Sequence, residues 1–173
     1  MASELHVDAI KHSGGTSAMT INSSGNVNTP GSIIQVQSAA LLTGSQWTST
    51  SSSWSDIISV TITPKFSSSK ILFQLAGDCG SSGDNTALIM KLVRNINGGA
   101  FVAIGGGGFS YENNNYNACS LAVMDSPSTT NACIYKLQGA LSDGGSGTAY
   151  FPTRWAIGDT FEGNTVTVME IAQ

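Results

Sequence analysis

Residues 58–75 read ISVTITPKFSSSKILFQL, two apolar runs rich in β-branched residues on either side of a polar turn. Ile58, Val60 and Ile62 alternate with Ser59 and Thr61, and Ile71, Phe73 and Leu75 alternate with Leu72, Gln74 and Ala76. A period of two sets every other side chain on one face, so each run predicts a strand with one buried face. The turn between them carries Pro64 and three serines, which predicts an antiparallel β-hairpin with a loop of several residues. The rhythm continues through SIIQVQSAAL, SQWTSTSSSWSDIISVTIT (one or two strands), TALIMKLVR, AFVAIG, YNACSLAVMD, ACIYKLQGAL, TAYFP and NTVTVMEIA. Turn clusters GSSGDN, NINGG, GGGG, DSPSTTN, SDGGSG and AIGD separate them. ALIMKLV has helix-forming residues, but it is short, lacks a 3.6 period and sits between glycine-rich turns. About eight to ten short strands at this spacing predict an all-β, antiparallel, jelly-roll-like sandwich over 32–173, with an immunoglobulin-type sandwich as the alternative.

Residues 1–31 differ. They read as strand pieces, LHVDAIKHS and SAMTI, between the turns SGGT and NSSGNVNTPG, and Pro30-Gly31 marks a boundary. Leu5, Val7, Ile10, Met19, Ile21 and Val27 are too few to build a core of their own. A strand-forming segment without a core gains stability by adding to a partner. The expectation is a short N-terminal β stalk that docks through Leu5, Val7, Ile10, Met19 and Ile21, with a closed cyclic trimer burying apolar residues on its axis.

Charged residues make up 10% of the chain while hydrophobic ones make up 40%. The core is therefore of ordinary size but the surface is dressed in Ser, Thr, Asn and Gly, which suits a protein held in a rigid assembly. A secreted lectin-like domain is the competing class. Seven Lys and Arg against a net charge of −4 argue against nucleic acid, since phosphate binding needs a basic stripe. No apolar run approaches the roughly 20 residues that span a bilayer, and MASELHVDAIKHSGG lacks the pattern of a signal peptide. Assembly in a reducing cytoplasm is expected. Cys79, Cys119 and Cys133 are odd in number and lie in apolar runs, which reads as buried free thiols. Spacing alone leaves a disulfide between two of them open.

Catalysis needs converging titratable groups, and the sandwich offers few. Both histidines, His6 and His12, lie in the N-terminal segment, so no Ser-His-Asp or Cys-His site is expected in the head. The cysteines lack CxxC spacing and a nearby histidine, which argues against zinc. Stacked His6 and His12 rings on a trimer axis are the remaining metal option, although six residues apart is not the usual fibre spacing. GGGGF at 105–109 lacks the lysine of a phosphate loop and reads as a flexible surface loop. Asp78, Asp84, Asp125, Asp143 and Asp159 mostly sit beside Gly, Ser or Asn, where Asp bonds its own backbone. DCGSSGDN does not match an EF-hand loop. Paired carboxylates among Asp143, Asp159 and Glu162 are the route to a glycan-degrading enzyme. The expectation is no enzyme, no cofactor and no metal.

TPGSIIQV, DIISVTITPKFSSSKILFQLAGD, LAVMDSPSTTNACIYKLQ and NTVTVMEIA together resemble the C-terminal head domains of virion fibre proteins from tailed bacteriophages, notably marine and cyanobacterial ones. TI…SSGNV at 20–27 is similar to the strand-turn unit that ends the shaft of such fibres. The resemblance implies a homotrimer of β-sandwich heads on an intertwined stalk, a tail fibre or receptor-binding tip located in the virion. Another virion protein (tail, baseplate or capsid) would hold the N-terminal segment. Long fibres carry a large adaptor domain before the tip, whereas here Met1 stands close to the shaft unit. The expectation is thus a short fibre, a docked tip or a capsid-attached spike; a capsid decoration protein is the alternative. A host-surface glycan is the expected receptor. GGGGFSYENNNYN at 105–117 and SGTAYFPTRWAIGD at 146–159 combine aromatics with glycine and amides, the mix binding loops favour. Tyr111, Tyr116, Tyr150 and Trp155 are the expected stacking residues, with Asn113, Asn114, Asn115 and Arg154 bonding hydroxyls. The competing reading packs Phe109 and Trp155 against the sandwich edge or a trimer neighbour.

Overall fold

The structure, a computed structural model, describes residues 6–40, 46–83, 86–111, 115–142, 147–152 and 165–173, with the backbone alone at 108–111 and 115–117. Three short strands come first: β1 (Ala9–Lys11), β2 (Ser17–Ile21) and β3 (Val27–Asn28) form a separate antiparallel sheet. Gly15 at φ 86° and Gly25 at φ 75° take the left-handed conformation that its two turns require. Asn22 Oδ1 accepts from the N–H groups of Ser24 and Asn26 and closes the second turn. The chain then meets the sandwich, where the Gly31 N–H donates to the Ala172 carbonyl at 2.9 Å and the Ala172 N–H to Ser32 at 2.9 Å.

Ten further strands build the sandwich among the described residues. In one sheet β4 (Ile33–Ala40), β13 (Thr165–Ile171), β7 (Lys70–Ser82) and β10 (Asn115–Asp125) lie side by side. Beyond β13, β12 (Thr148–Phe151) pairs with the far end of β7 and carries β5 (Trp47–Ser49) on its outer edge. The other sheet runs β6 (Ser55–Ile62), β11 (Cys133–Leu141), β8 (Ala87–Ile96), β9 (Val102–Tyr111). Every pairing is antiparallel. The chain changes sheet at β5–β6, β6–β7, β7–β8, β9–β10, β10–β11 and β11–β12. Two sheets of four principal strands joined this way are a jelly roll.

Strand alternation carries the core. Val60 and Ile62 of β6, Ile71, Phe73 and Leu75 of β7, Leu88, Met90 and Leu92 of β8, Tyr135 and Leu137 of β11, and Val166 and Val168 of β13 are all buried between the sheets. The β8–β9 connection, residues 97–101, opens on a tight turn in which Asn97 (φ 49°) and Gly98 (φ 78°) both take positive φ and the Gly99 N–H donates to the Ile96 carbonyl at 3.0 Å. That is the primed turn Asn-Gly favours, because it matches strand twist.

Two sequence expectations are corrected. ISVTITPKFSSSKILFQL is not a hairpin: β6 pairs with β11, while β7 pairs with β13 and β10 in the opposite sheet. The 63–69 turn crosses the edge of the sandwich, and a buried carboxylate holds it there. Glu170 on β13 accepts from the Lys65 N–H at 2.8 Å, the Phe66 N–H at 3.2 Å and Gln35 Nε2 at 2.6 Å. GGGGF is not a surface loop either, since residues 105–109 lie within β9. A Cβ on Gly105 would stand 2.7 Å from Val123 Cγ2 on β10, so the missing side chain lets the two sheets close on each other at this edge.

Replacing Glu170 leaves two backbone donors of a buried turn without their acceptor. Glu170→Ala is expected to lower unfolding free energy by about 3 kcal/mol, read as a reduced urea midpoint at unchanged m-value. A shift below about 0.5 kcal/mol, the range of ordinary surface substitutions, would remove the carboxylate from its role as the turn's anchor.

Candidate functional site

The titratable groups of the sandwich serve its framework. Arg94 on β8 stands opposite Tyr135 on β11, and both reach Asp125 at the end of β10 in the facing sheet. Arg94 Nη1 lies 2.7 Å from each Asp125 oxygen, and the Tyr135 hydroxyl donates to Oδ2 at 2.7 Å. Burial works against the Arg94 charge, but the Asp125 carboxylate outweighs it and raises the guanidinium above its usual range. Burial first, and the Asp125 contact second, hold the Tyr135 hydroxyl protonated well above the usual tyrosine range. Asp125 therefore ties the sheets together instead of capping its own turn, a correction to the reading of the turn aspartates. No sequence spacing announces that trio, whose members lie on three strands.

All three cysteines are buried and free. Cys79 and Cys119 stand two register positions apart on β7 and β10, with their thiols hydrogen-bonded; that bond lowers the Cys79 thiol and raises the Cys119 thiol. Burial raises the Cys133 thiol. His12 Nδ1 accepts from the Gly14 N–H at 3.1 Å and belongs to the β1–β2 turn. Among the described residues no three His, Cys, Asp or Glu side chains gather to hold a metal. Asp143, Asp159 and Glu162 lie outside the described residues.

Register brings together two of the expected receptor residues that are 34 positions apart in sequence. Tyr116 of β10 and Tyr150 of β12 are both partners of Gly80, one from each side of β7, and Thr48 of β5 follows Tyr150. Cross-strand partners share a face, so tyrosine, glycine, tyrosine and threonine form one row across four strands. Tyr150 is half-buried and its hydroxyl lies 3.2 Å from Ser82 Oγ. Asn115 is the partner of Ser81. Tyr111 sits apart from that row, at the end of β9 opposite Ala87 in the other sheet. Asn113, Asn114, Arg154 and Trp155 lie outside the described residues.

The same sheet presents a second feature toward its other end. Val36, Met169, Leu72 and Met124 are successive partners across β4, β13, β7 and β10 and form a ridge of large apolar side chains on the outer face. Val36 is 52% and Met124 50% exposed. Beside it the outward residues shrink to Gln74, Ala76, Ser120, Ala122, Thr165 and Thr167, which line a depression of about 450 Å³. Sequence alternation set Leu72, Gln74 and Ala76 opposite the buried face; their alignment with residues of three other strands needed the register. The outer face of the opposite sheet is different: Asp56 bonds Lys136 Nζ at 2.6 Å and Gln138 at 2.7 Å, Lys136 covers Phe101, and Lys91 covers Trp54. Of the expected docking residues, Val7 and Ile10 are exposed and Met19 and Ile21 half-buried in the β1–β3 sheet; Leu5 lies outside the described residues.

These features define an all-β, antiparallel jelly-roll domain. No protein family matches the sequence, and no curated protein matches it. Solved structures match in shape. A structure of infectious bursal disease virus, Gt strain, superposes with a TM-score of 0.51 at 10% identity, over 96% of this chain and 38% of that one. A Gx strain structure gives 0.46 and 12% over 80% of this chain and 32% of that chain. A mutant VP2 protein of the same virus, in derived T=1 particles, gives 0.46 and 12% over 84% and 34%. The chain thus spans well under half the length of the viral chains it matches. What it shares with the first of them is the fold.

Cys133 and Tyr135 keep their protons in the folded state at pH values where the unfolded chain has released them. The unfolded state then binds fewer protons, so stability is full below the ordinary thiol range, about pH 8.5, and falls as pH rises through the raised values. Each group is expected to contribute a loss of up to about 1.4 kcal/mol per pH unit. Urea titrations between pH 7 and 10.5 measure it, and Cys133→Ala removes the earlier part of the slope. A flat profile would contradict the raised values.

Proposed function

We propose that the chain is a virion structural protein: the β-sandwich head of a tailed-phage fibre or receptor-binding tip, trimeric, that attaches the particle to a host-surface glycan. The observation that carries the reading is the jelly roll itself, which superposes over 96% of the chain on a viral protein. The 10% charge content supports it, because a part locked into an assembly does not depend on its own charge for solubility. The β1–β3 sheet, with Val7, Ile10 and Val27 exposed and few hydrogen bonds to the sandwich beyond the Thr29–Ser32 and Ala172 junction, supports attachment to another virion protein. The Tyr116–Gly80–Tyr150 row is the receptor surface in this reading, since a glycine between two tyrosines on one face leaves room for a sugar ring to stack. Catalysis has no part in it, and host polysaccharide is expected to keep its chain length when incubated with the protein.

A capsid decoration protein is the second reading, favoured by the likeness to a structure of infectious bursal disease virus. Antibody labelling of intact particles separates tail from shell. Adsorption tests the receptor. Tyr116→Ala with Tyr150→Ala is expected to slow adsorption about tenfold, the equivalent of 1.4 kcal/mol in affinity, while Ser59→Ala with Thr61→Ala on the opposite sheet leaves it unchanged. Equal adsorption by both pairs removes the tyrosine row from the receptor site. Normal adsorption by particles lacking the protein altogether favours decoration of the shell. Deleting residues 2–28 is expected to leave a folded head that is absent from particles, and normal incorporation would overturn the docking role.

A further inference from the structure

We propose that the outer face of the β4–β13–β7–β10 sheet is the contact between copies of this chain, the apolar ridge of one copy seating in the depression of the next. The inference rests on the homo-oligomeric reading above and names its contact surface, which neither the N-terminal segment nor the tyrosine row includes.

Three observations select a second copy as the occupant. Large and small residues are segregated on this face: Val36, Met169, Leu72 and Met124 stand in one row, and the depression beside it is lined by Ala76, Ser120, Ala122, Thr165 and Thr167. The depression measures about 450 Å³, so one face of the chain carries both an apolar projection and a hollow beside it. A contact between two different patches repeats around a ring, as a cyclic trimer requires. Charge gives the second observation. Between Lys70 and Asp78 the outward positions of β7 are Leu72, Gln74 and Ala76, and their partners on β10 and β13 are uncharged as well. Lys70 and Asp78 have opposite signs and stand at opposite ends, so a copy that meets the face end to end brings no like charges together. The depletion of charge at the centre, with polar groups at the rim, is the composition of a protein interface. The opposite sheet, by contrast, carries Lys91, Lys136 and Asp56 and is dressed for water. Continuity is the third. Ile33, 57% exposed, pairs with Ile171 two residues beyond Met169, so exposed apolar residues continue along this sheet past the ridge.

Light scattering on the full chain tests the contact. Val36→Glu with Met124→Glu places charge at two positions that are exposed within one copy, so the head is expected to fold while the mass falls from three copies to one. Ala122→Phe fills the depression from the other side and is expected to weaken association at least tenfold without touching the ridge. Val102→Glu, exposed on the opposite sheet, is the control and should keep the wild-type mass. Circular dichroism and urea midpoints show that each variant is folded. A wild type that is itself monomeric overturns the oligomeric reading together with this contact. An oligomeric wild type whose ridge and depression variants remain oligomeric overturns the contact alone. Variants that keep their mass but no longer join particles assign the face to a different virion protein, and that also overturns the proposal.

Discussion

β7 is bonded along both edges, and most of the sandwich is arranged around that fact. Its residues 71–81 pair with β10 on one side, while the other side is shared between β13 at 70–76 and β12 at 80–82. A strand that satisfies its backbone on both sides has no free edge, so its register fixes three neighbours at once. Ile71, Phe73 and Leu75 point into the core, which obliges Leu72, Gln74 and Ala76 to point out. A slip of one residue would turn the whole set inside out. Past Asp78 the pattern changes: Cys79, Gly80 and Ser81 are buried in succession. Here the outward position is Gly80, and the residues flanking it across the sheet are the two tyrosines. The ridge, the depression and the tyrosine row are thus successive levels of one face, set by one strand.

Two carboxylates hold the framework of the sandwich. Asp125 with Arg94 and Tyr135 ties one sheet to the other, and Glu170 holds the crossing between β6 and β7. Burying a carboxylate is costly unless each oxygen is bonded; Asp125 and Glu170 each have both oxygens occupied. The exposed Asp56–Lys136 pair sits in water, where such pairs contribute little to stability. Its neighbours Gln138 and Lys136 still hold the Asp56 carboxyl below the usual range.

What the sequence made legible was local. Alternation in ISVTITPKF and SKILFQL identified strands and their buried faces, and NINGG marked a turn, because a period of two and an Asn-Gly turn are properties of neighbouring residues. Partnership was not legible. β6 and β7 looked like a hairpin because they are adjacent, but their partners are β11 on one side and β13 and β10 on the other, and the turn between them is held by Glu170, more than 100 residues further along the chain. GGGG looked like a loop because glycine is rare in strands, whereas Gly105 is needed for the approach of Val123 from β10. The tyrosines of the candidate receptor surface were found by composition in two separate loops. That Tyr116 and Tyr150 share Gly80 depended on long-range register, which no window of sequence contains.

The two outer faces explain why the surface is polar yet nearly uncharged. A face meant for water needs solvation, and the β6–β11–β8–β9 sheet has it in Lys91, Lys136, Gln138 and Asp56, with the lysines also shielding Trp54 and Phe101. A face meant for protein must shed water at little cost, and hydroxyl and methyl groups shed it more cheaply than ammonium or carboxylate groups. Serine, threonine and alanine around a ridge of Val36, Leu72 and Met124 meet that requirement. Their low charge also means that association changes little with ionic strength, since there is little for salt to screen. In the virion role proposed above, insensitivity to salt would be worth more than the solubility of a free monomer.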